Sequence, residues 1–265
     1  MLELEARAEP SRLMSCLSPL LAVVLMLAGG VLVFAVLGKD PVEGFRIFFL
    51  NPVKDLYALS ELLLKATPLM LCAIGLAIGF RANVWNIGAE GQFMLGAVAA
   101  TGVALYFGDS ESALVLPAMV LAGAAGGAAW AAIPALLRTR FNANEILVSL
   151  MLVYVAQLFV SWLVFGPWKD PDGFNFPQTR MFAEAATLPM VIEGTRLHFG
   201  FAIALAALVA GYAFMNRSHA GFRMRVAGEA ADAARYAGFS AARMIWLGLL
   251  LGGAAAGLAG MGEVA

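Results

Sequence analysis

Charge is scarce in this chain. Of its 265 residues only 13% are Asp, Glu, Lys or Arg, while 62% are hydrophobic. An ordinary soluble domain carries about 25% charged residues, so a soluble globular fold is a poor match. The net charge of −1 argues against a nucleic-acid partner. Cysteine is limited to Cys16 and Cys72, both inside apolar runs. They read as buried thiols, which excludes a disulfide framework. The two histidines, His198 and His219, fall in different regions and make no metal site. A G-x-x-x-x-G-K-[ST] phosphate loop is also missing, so any nucleotide binding has to come from another protein.

What the chain does have is apolar runs near twenty residues, the length a helix needs to cross a hydrocarbon core of about 30 Å. Seven spans are predicted, at about 13–37, 62–80, 88–107, 113–137, 146–166, 198–215 and 244–263. The fold class is therefore an all-α, polytopic transmembrane bundle. The first run is too long for a signal-peptide core, and its leader carries Glu3, Glu5 and Glu9 beside Arg7 and Arg12, so it reads as a retained helix. With the N-terminus inside, the inner segments hold Arg7, Arg12, Arg81, Arg138, Arg140, Arg217, Arg223, Arg225, Arg235 and Arg243. The longer outer segments hold Lys39, Arg46, Lys54, Lys65, Lys169, Arg180 and Arg196, and this bias favours a cytoplasmic N-terminus. The outer piece "FRIFFL" (45–50) could lie along the interface, and Trp162 and Trp168 flank the outer boundary as interfacial aromatics.

The stretch "FRANVWNIGAEGQF" (80–93) is polar between two apolar runs. The apolar part of the third span, Phe93–Phe107, is about five residues short of a bilayer crossing. Starting that helix near Gly88 removes the deficit and draws Glu90 and Gln92 to membrane depth, where a carboxylate facing lipid is costly and needs protein or water beside it. If the stretch is helical, Asn83, Asn86 and Glu90 form one stripe. A polar stripe at a broken helix suits a transport pathway. Asn83, Trp85, Asn86, Glu90 and Gln92 are thus candidate pathway residues, Trp85 as a stacking surface for a ring. The competing reading is an interfacial loop with Glu90 paired to Arg81.

Residues 216–243 form the longest inner segment. Its "EAADAARYAG" (229–238) favours a short helix bracketed by Gly228 and Gly238. Such a helix serves either as a handle for a soluble motor or as an amphipathic element resting on membrane lipid. Gly123 and Gly127, Gly248 and Gly252, and Gly253 and Gly257 are spaced by four, which predicts close helix packing.

The run "KATPLMLCAIGLAIGFRANVWNIGAEGQF" (65–93) resembles the membrane subunits of ABC importers, in the branch with ribose and branched-chain amino acid permeases and nearest its nucleoside and simple-sugar permeases. "NEILVSLMLVYVA" (144–156), "GPWKDPDGFNFPQT" (166–179) and "GFRMRVAGEAADAARYAG" (221–238) are similar to later segments of the same family, the last to its EAA-type loop. The resemblance implies a single permease domain over 1–265, with 216–243 as a coupling loop that seats Gly221, Arg225, Gly228, Glu229, Ala233, Ala234 and Gly238 against an ATPase. It implies no enzymatic activity and no cofactor in this subunit, with ATP and Mg on a cytoplasmic ABC ATPase. It also implies a second permease subunit in a heterodimer, an extracytoplasmic substrate-binding lipoprotein, and a multi-pass location in the bacterial plasma (inner) membrane. Transport of nucleosides or simple sugars is the implied function. An ion-coupled secondary carrier or channel is the alternative. Two positions depart from the family pattern, which often has Asn where this chain has Val153 and Ala230. The family also continues to eight to ten helices, so the chain reads as C-terminally incomplete.

Overall fold

The computed structural model describes residues 11–265 except 109 and 175, with the side chain of Arg12 left aside. Arg7 and the leader acids Glu3, Glu5 and Glu9 lie outside the described residues. Ten α-helices occur among the described residues: α1 (Arg12–Val36), α2 (Pro41–Phe45), α3 (Leu56–Arg81), α4 (Ala89–Phe107), α5 (Val115–Phe141), α6 (Glu145–Phe165), α7 (Gly200–Arg217), α8 (His219–Glu229), α9 (Ala231–Tyr236) and α10 (Ala241–Val264). Six of them, α1, α3, α5, α6, α7 and α10, are long and apolar enough to cross a membrane. The seventh predicted span is α4, 19 residues long, whose Glu90 and Gln92 in the first turns lower its mean hydropathy below the other six. Polar side chains cap several starts: Ser11 on α1, Asn144 on α6, Ser218 on α8 and Ser240 on α10 each accept from a backbone N–H of the first turn.

The chain divides into two compact units, up to Leu62 and from Leu63 onward. In the first, α1 is exposed along its apolar length, as a lipid-facing span is. Phe34 on α1 meets Phe45 on α2 edge-on at 5.7 Å, and Gly30 and Gly44 leave room for these rings. The "FRIFFL" piece continues α2 as a wide helical turn with Phe48 exposed. Cys16 corrects the expectation of a buried thiol: it is exposed on α1, because an apolar run that faces lipid buries its residues in the membrane and not in protein. Cys72, on α3, is half-buried, and both thiols are free.

In the second unit α10 is the spine. More than half of its apolar window is buried, against 28% or less for every other span. It runs antiparallel to α5, with Gly123 opposite Gly257 and Gly127 opposite Gly253, so close that a Cβ on either Gly127 or Gly257 would collide with the facing carbonyl. Gly96 on α4 and Gly75 on α3 meet Gly257 and Gly252 in the same way. The four-residue glycine spacing therefore packs helices within one chain, as small residues do where backbones approach. At one end, Ile78, Ala82, Val84, Ala131, Ala135, Met224, Met244 and Leu249 form an apolar cluster tied by Trp246 Nε1 donating to Thr139 Oγ1 at 3.1 Å. Arg81, Arg138 and Arg140 sit on helix ends here, and this is called the basic end. At the opposite, loop end, Ala100, Ala104, Val115, Met119, Ala186 and Met261 pack together, and Lys65 pairs with Glu263 at 3.6 Å.

Candidate functional site

The stretch 82–88 is an extended link between α3 and α4, and this corrects the one-stripe expectation. α3 stops because Asn83 takes a left-handed conformation, with φ of 55°. The Val84 N–H returns to the Gly79 carbonyl at 3.1 Å and the Asn83 N–H to the Phe80 carbonyl at 3.0 Å. Those two bonds make a Schellman stop, in which Asn is an accepted substitute for Gly. Beyond it, side chains alternate: Val84, Asn86 and Gly88 point into the protein, while Trp85 and Ile87 point out. Asn83, Asn86 and Glu90 therefore share no helical face.

Asn86 and Gln92 pair with each other. Asn86 Nδ2 donates to Gln92 Oε1 at 2.8 Å, and Gln92 Nε2 donates to Asn86 Oδ1 at 3.0 Å. Asn86 Oδ1 also accepts from the Gly88 N–H at 3.1 Å, serving a donor at the start of α4. Ser149 on α6 accepts from the Ile87 N–H at 3.2 Å, and Gly88 is pressed against its backbone. Gln92 and Ser149 are 1% exposed and Asn86 is 5%, so this knot is sealed and its donors are used. Asn83 Oδ1 accepts from Trp85 Nε1 at 3.1 Å, and the Trp85 ring leans on Phe80 with centroids 4.9 Å apart. α4 begins at Ala89, as the length deficit demanded. Glu90 is exposed on this chain, and its hydrogen-bond partner is Gln157 on α6, at 3.5 Å, where the interfacial-loop reading had Arg81.

Sequence reading left α6 without a site residue, yet Tyr154, Gln157 and Ser161 recur at i, i+3 and i+7 on its exposed face. In an otherwise apolar helix this thin stripe is easily passed over. Above Gln157 a cavity of about 620 Å³ opens toward the loop end. Its walls include Met94, Ala97 and Thr101 on α4 and Val160 and Val164 on α6. The 166–199 segment covers its mouth with Trp168, Gln178, Thr179 and Arg180. Trp168, expected at the lipid interface, instead lies over α4 at Gly102, while Trp162 is exposed and stacks on Phe159. Val153, where the resembled pattern often has Asn, is buried against Gly91, and the enclosed Trp130 Nε1 beside the same glycine finds no acceptor among the described residues. An Asn carbonyl at 153 would supply one.

The predicted coupling loop is two helices, not one. Gly228 is no bracket: it lies inside α8, where a Cβ would collide with the Arg81 carbonyl. Gly221 is similarly pressed on Phe214 and Met215. The break falls at Ala230, with φ −144° and ψ 74°, and α9 then ends at Gly238, whose φ of 76° allows the Phe239 N–H to reach the Ala234 carbonyl at 2.8 Å. Ala234 is buried, whereas Glu229, Ala233 and Tyr236 are exposed, Tyr236 almost fully. Arg223 lies over the Phe239 ring at 5.4 Å, and the Arg225 Nε is enclosed without a hydrogen-bond partner among the described residues.

A family described as "Branched-chain amino acid transport system / permease component" matches residues 58–265. A glucose ABC transporter permease of Haloferax volcanii is 40% identical over 94% of this chain and 67% of its own length. A guanosine ABC transporter permease of Bacillus subtilis is 33% identical over 95% of this chain and 72% of its own. A nucleoside ABC transporter permease of Lactococcus lactis is 28% identical over 92% and 69%. No solved structure matches the chain. Several apolar helices packed on a glycine spine, a polar break before α4 and these matches lead to one conclusion: the chain belongs to the branched-chain amino acid transport system / permease component family and is a multi-pass permease subunit of an ABC transporter.

Proposed function

We propose that this chain forms one half of the translocation path of an ATP-driven importer for nucleosides or simple sugars. It sits in the plasma (inner) membrane with its N-terminus in the cytoplasm, pairs with a second, different permease subunit and receives solute from an extracytoplasmic binding lipoprotein. ATP and Mg are bound and used by a cytoplasmic ABC ATPase. The substrate class follows the relatives named for guanosine, nucleosides and glucose.

The observation that carries the reading is the α8–α9 arm. α8 is held by two backbone-close glycines, Gly221 and Gly228, against the ends of α7 and α3. α9 presents Ala233 and Tyr236 outward at the end rich in arginine. A rigid, anchored helix pair with a free tip is what a soluble motor needs in order to move a bundle between two states, since a ligand shifts an equilibrium only through contacts that differ between them.

The test is uptake by proteoliposomes containing the whole complex, with labelled guanosine, uridine and glucose offered separately. ATP inside the ATPase compartment should drive uptake of at least one of them. Uptake driven by a proton or sodium gradient, with the ATPase omitted, would reject the reading in favour of an ion-coupled carrier.

A further inference from the structure

Resting on that reading, we propose that the groove between α4 and α6 is the solute passage within this subunit, and that it takes an uncharged, hydroxylated ring. Glu90 is the starting point. It hydrogen-bonds Gln157, which stands twelve positions beyond Glu145 at the start of the 21-residue α6, or about 18 Å along an axis of about 31 Å. Both side chains are exposed on this chain. A carboxylate and an amide near the middle of a bilayer crossing are too costly to leave facing lipid, so water, solute or protein covers them.

The surfaces above them are continuous. On α4, Glu90, Met94, Ala97 and Thr101 follow one helical face, and on α6, Gln157, Val160 and Val164 follow another. Between these faces lies the cavity of about 620 Å³, within the range of small-molecule sites. Its middle is apolar and its two ends are polar, with Glu90 and Gln157 as a floor and Thr101, Gln178 and Thr179 near the mouth. Gln178 Nε2 is turned to Asp170 Oδ2 at 3.3 Å, which leaves its carbonyl oxygen as an acceptor. Trp168 supplies a flat face for the apolar side of a ring. The floor offers a carboxylate to hydroxyl donors, while the smooth middle gives a solute few polar contacts to hold it in passage.

Single cysteines at Ala97 and Val164 test this, introduced into the whole transporter after Cys16 and Cys72 are replaced by serine. Leu121→Cys, on an exposed apolar site of α5, is the control. In right-side-out vesicles, a charged methanethiosulfonate reagent should label positions 97 and 164 at least tenfold faster than 121, and millimolar uridine or glucose should slow that labelling severalfold. Labelling no faster than at 121 would mean the groove is filled by lipid or polypeptide and would overturn the proposal. Fast labelling that no tested solute slows would overturn it too, leaving a watery cleft. ATP-driven uptake by the parent complex is scored separately, so a failure of the passage is distinguishable from a failure of the transporter reading.

Discussion

At the basic end of the larger unit, Asn86, Gln92 and Ser149 are closed off from solvent and bonded to one another or to backbone. At the loop end, Thr101, Gln178, Thr179 and Arg180 surround open volume. Both groups are polar residues in an apolar chain, but they answer different problems. The sealed amides terminate helices inside protein, where each unpaired donor would be expensive. The groups around the cavity leave hydrogen-bonding capacity unspent. Polarity alone does not mark a pathway. Polarity beside empty space does.

The largest effect should come from the spine that both ends share. Gly257→Leu drives side-chain atoms into the Gly123 carbonyl and should cost more than about 4 kcal/mol, the range reserved for severe core defects. Loss of the monodisperse peak in detergent gel filtration is the measurement, and a normal peak would contradict the packing described. At the basic end, Gln92→Leu leaves the Asn86 amide buried without its partner and should cost about 2–3 kcal/mol. A lowered thermal midpoint should report it. Thr101→Val sharpens the contrast at the cavity: stability should change by no more than about 0.5 kcal/mol, while uptake falls severalfold. If it destabilised as much as Gln92→Leu, the two regions would not differ in kind.

The smallest effect is a pH dependence at the loop end. Burial holds the His198 pKa below its ordinary 6.5, with Glu263 opposing, and the neutral ring accepts the Gly200 N–H at Nδ1, 3.1 Å away. The unfolded chain therefore gains this proton at higher pH than the folded one. Stability from this group is complete above about pH 6.5 and declines as pH falls through that value toward the folded pKa. His198→Gln should flatten the slope of thermal midpoint between pH 7.5 and 5.5, measured in detergent, and an unchanged slope would remove the effect.

Much of this architecture could be read from the residues. Each apolar run became a helix within a few positions of its expected limits, because bilayer thickness dictates length. The start of α4 at Ala89 followed from arithmetic alone, and Gly238 ended α9 because few other residues tolerate its backbone angle. The role of Asn83 was hidden, since an asparagine that stops a helix looks the same in sequence as one that binds solute. Gly228 likewise looked like a helix end and proved to be a contact point. The Gln157–Glu90 pair spans 67 residues, a separation no local pattern reveals. Trp168 reads as interfacial until the fold brings α4 beneath it.

The elbow at Ala230 has a mechanical corollary. α9 swings on one residue, while α8 is wedged against the carbonyl end of α3. A displacement imposed on Tyr236 is thus delivered to Arg81 and Ala82, and from there along seven residues of taut chain to the first turn of α4. A stroke that starts in the cytoplasm arrives at the carboxylate of Glu90 as a tug on its own helix.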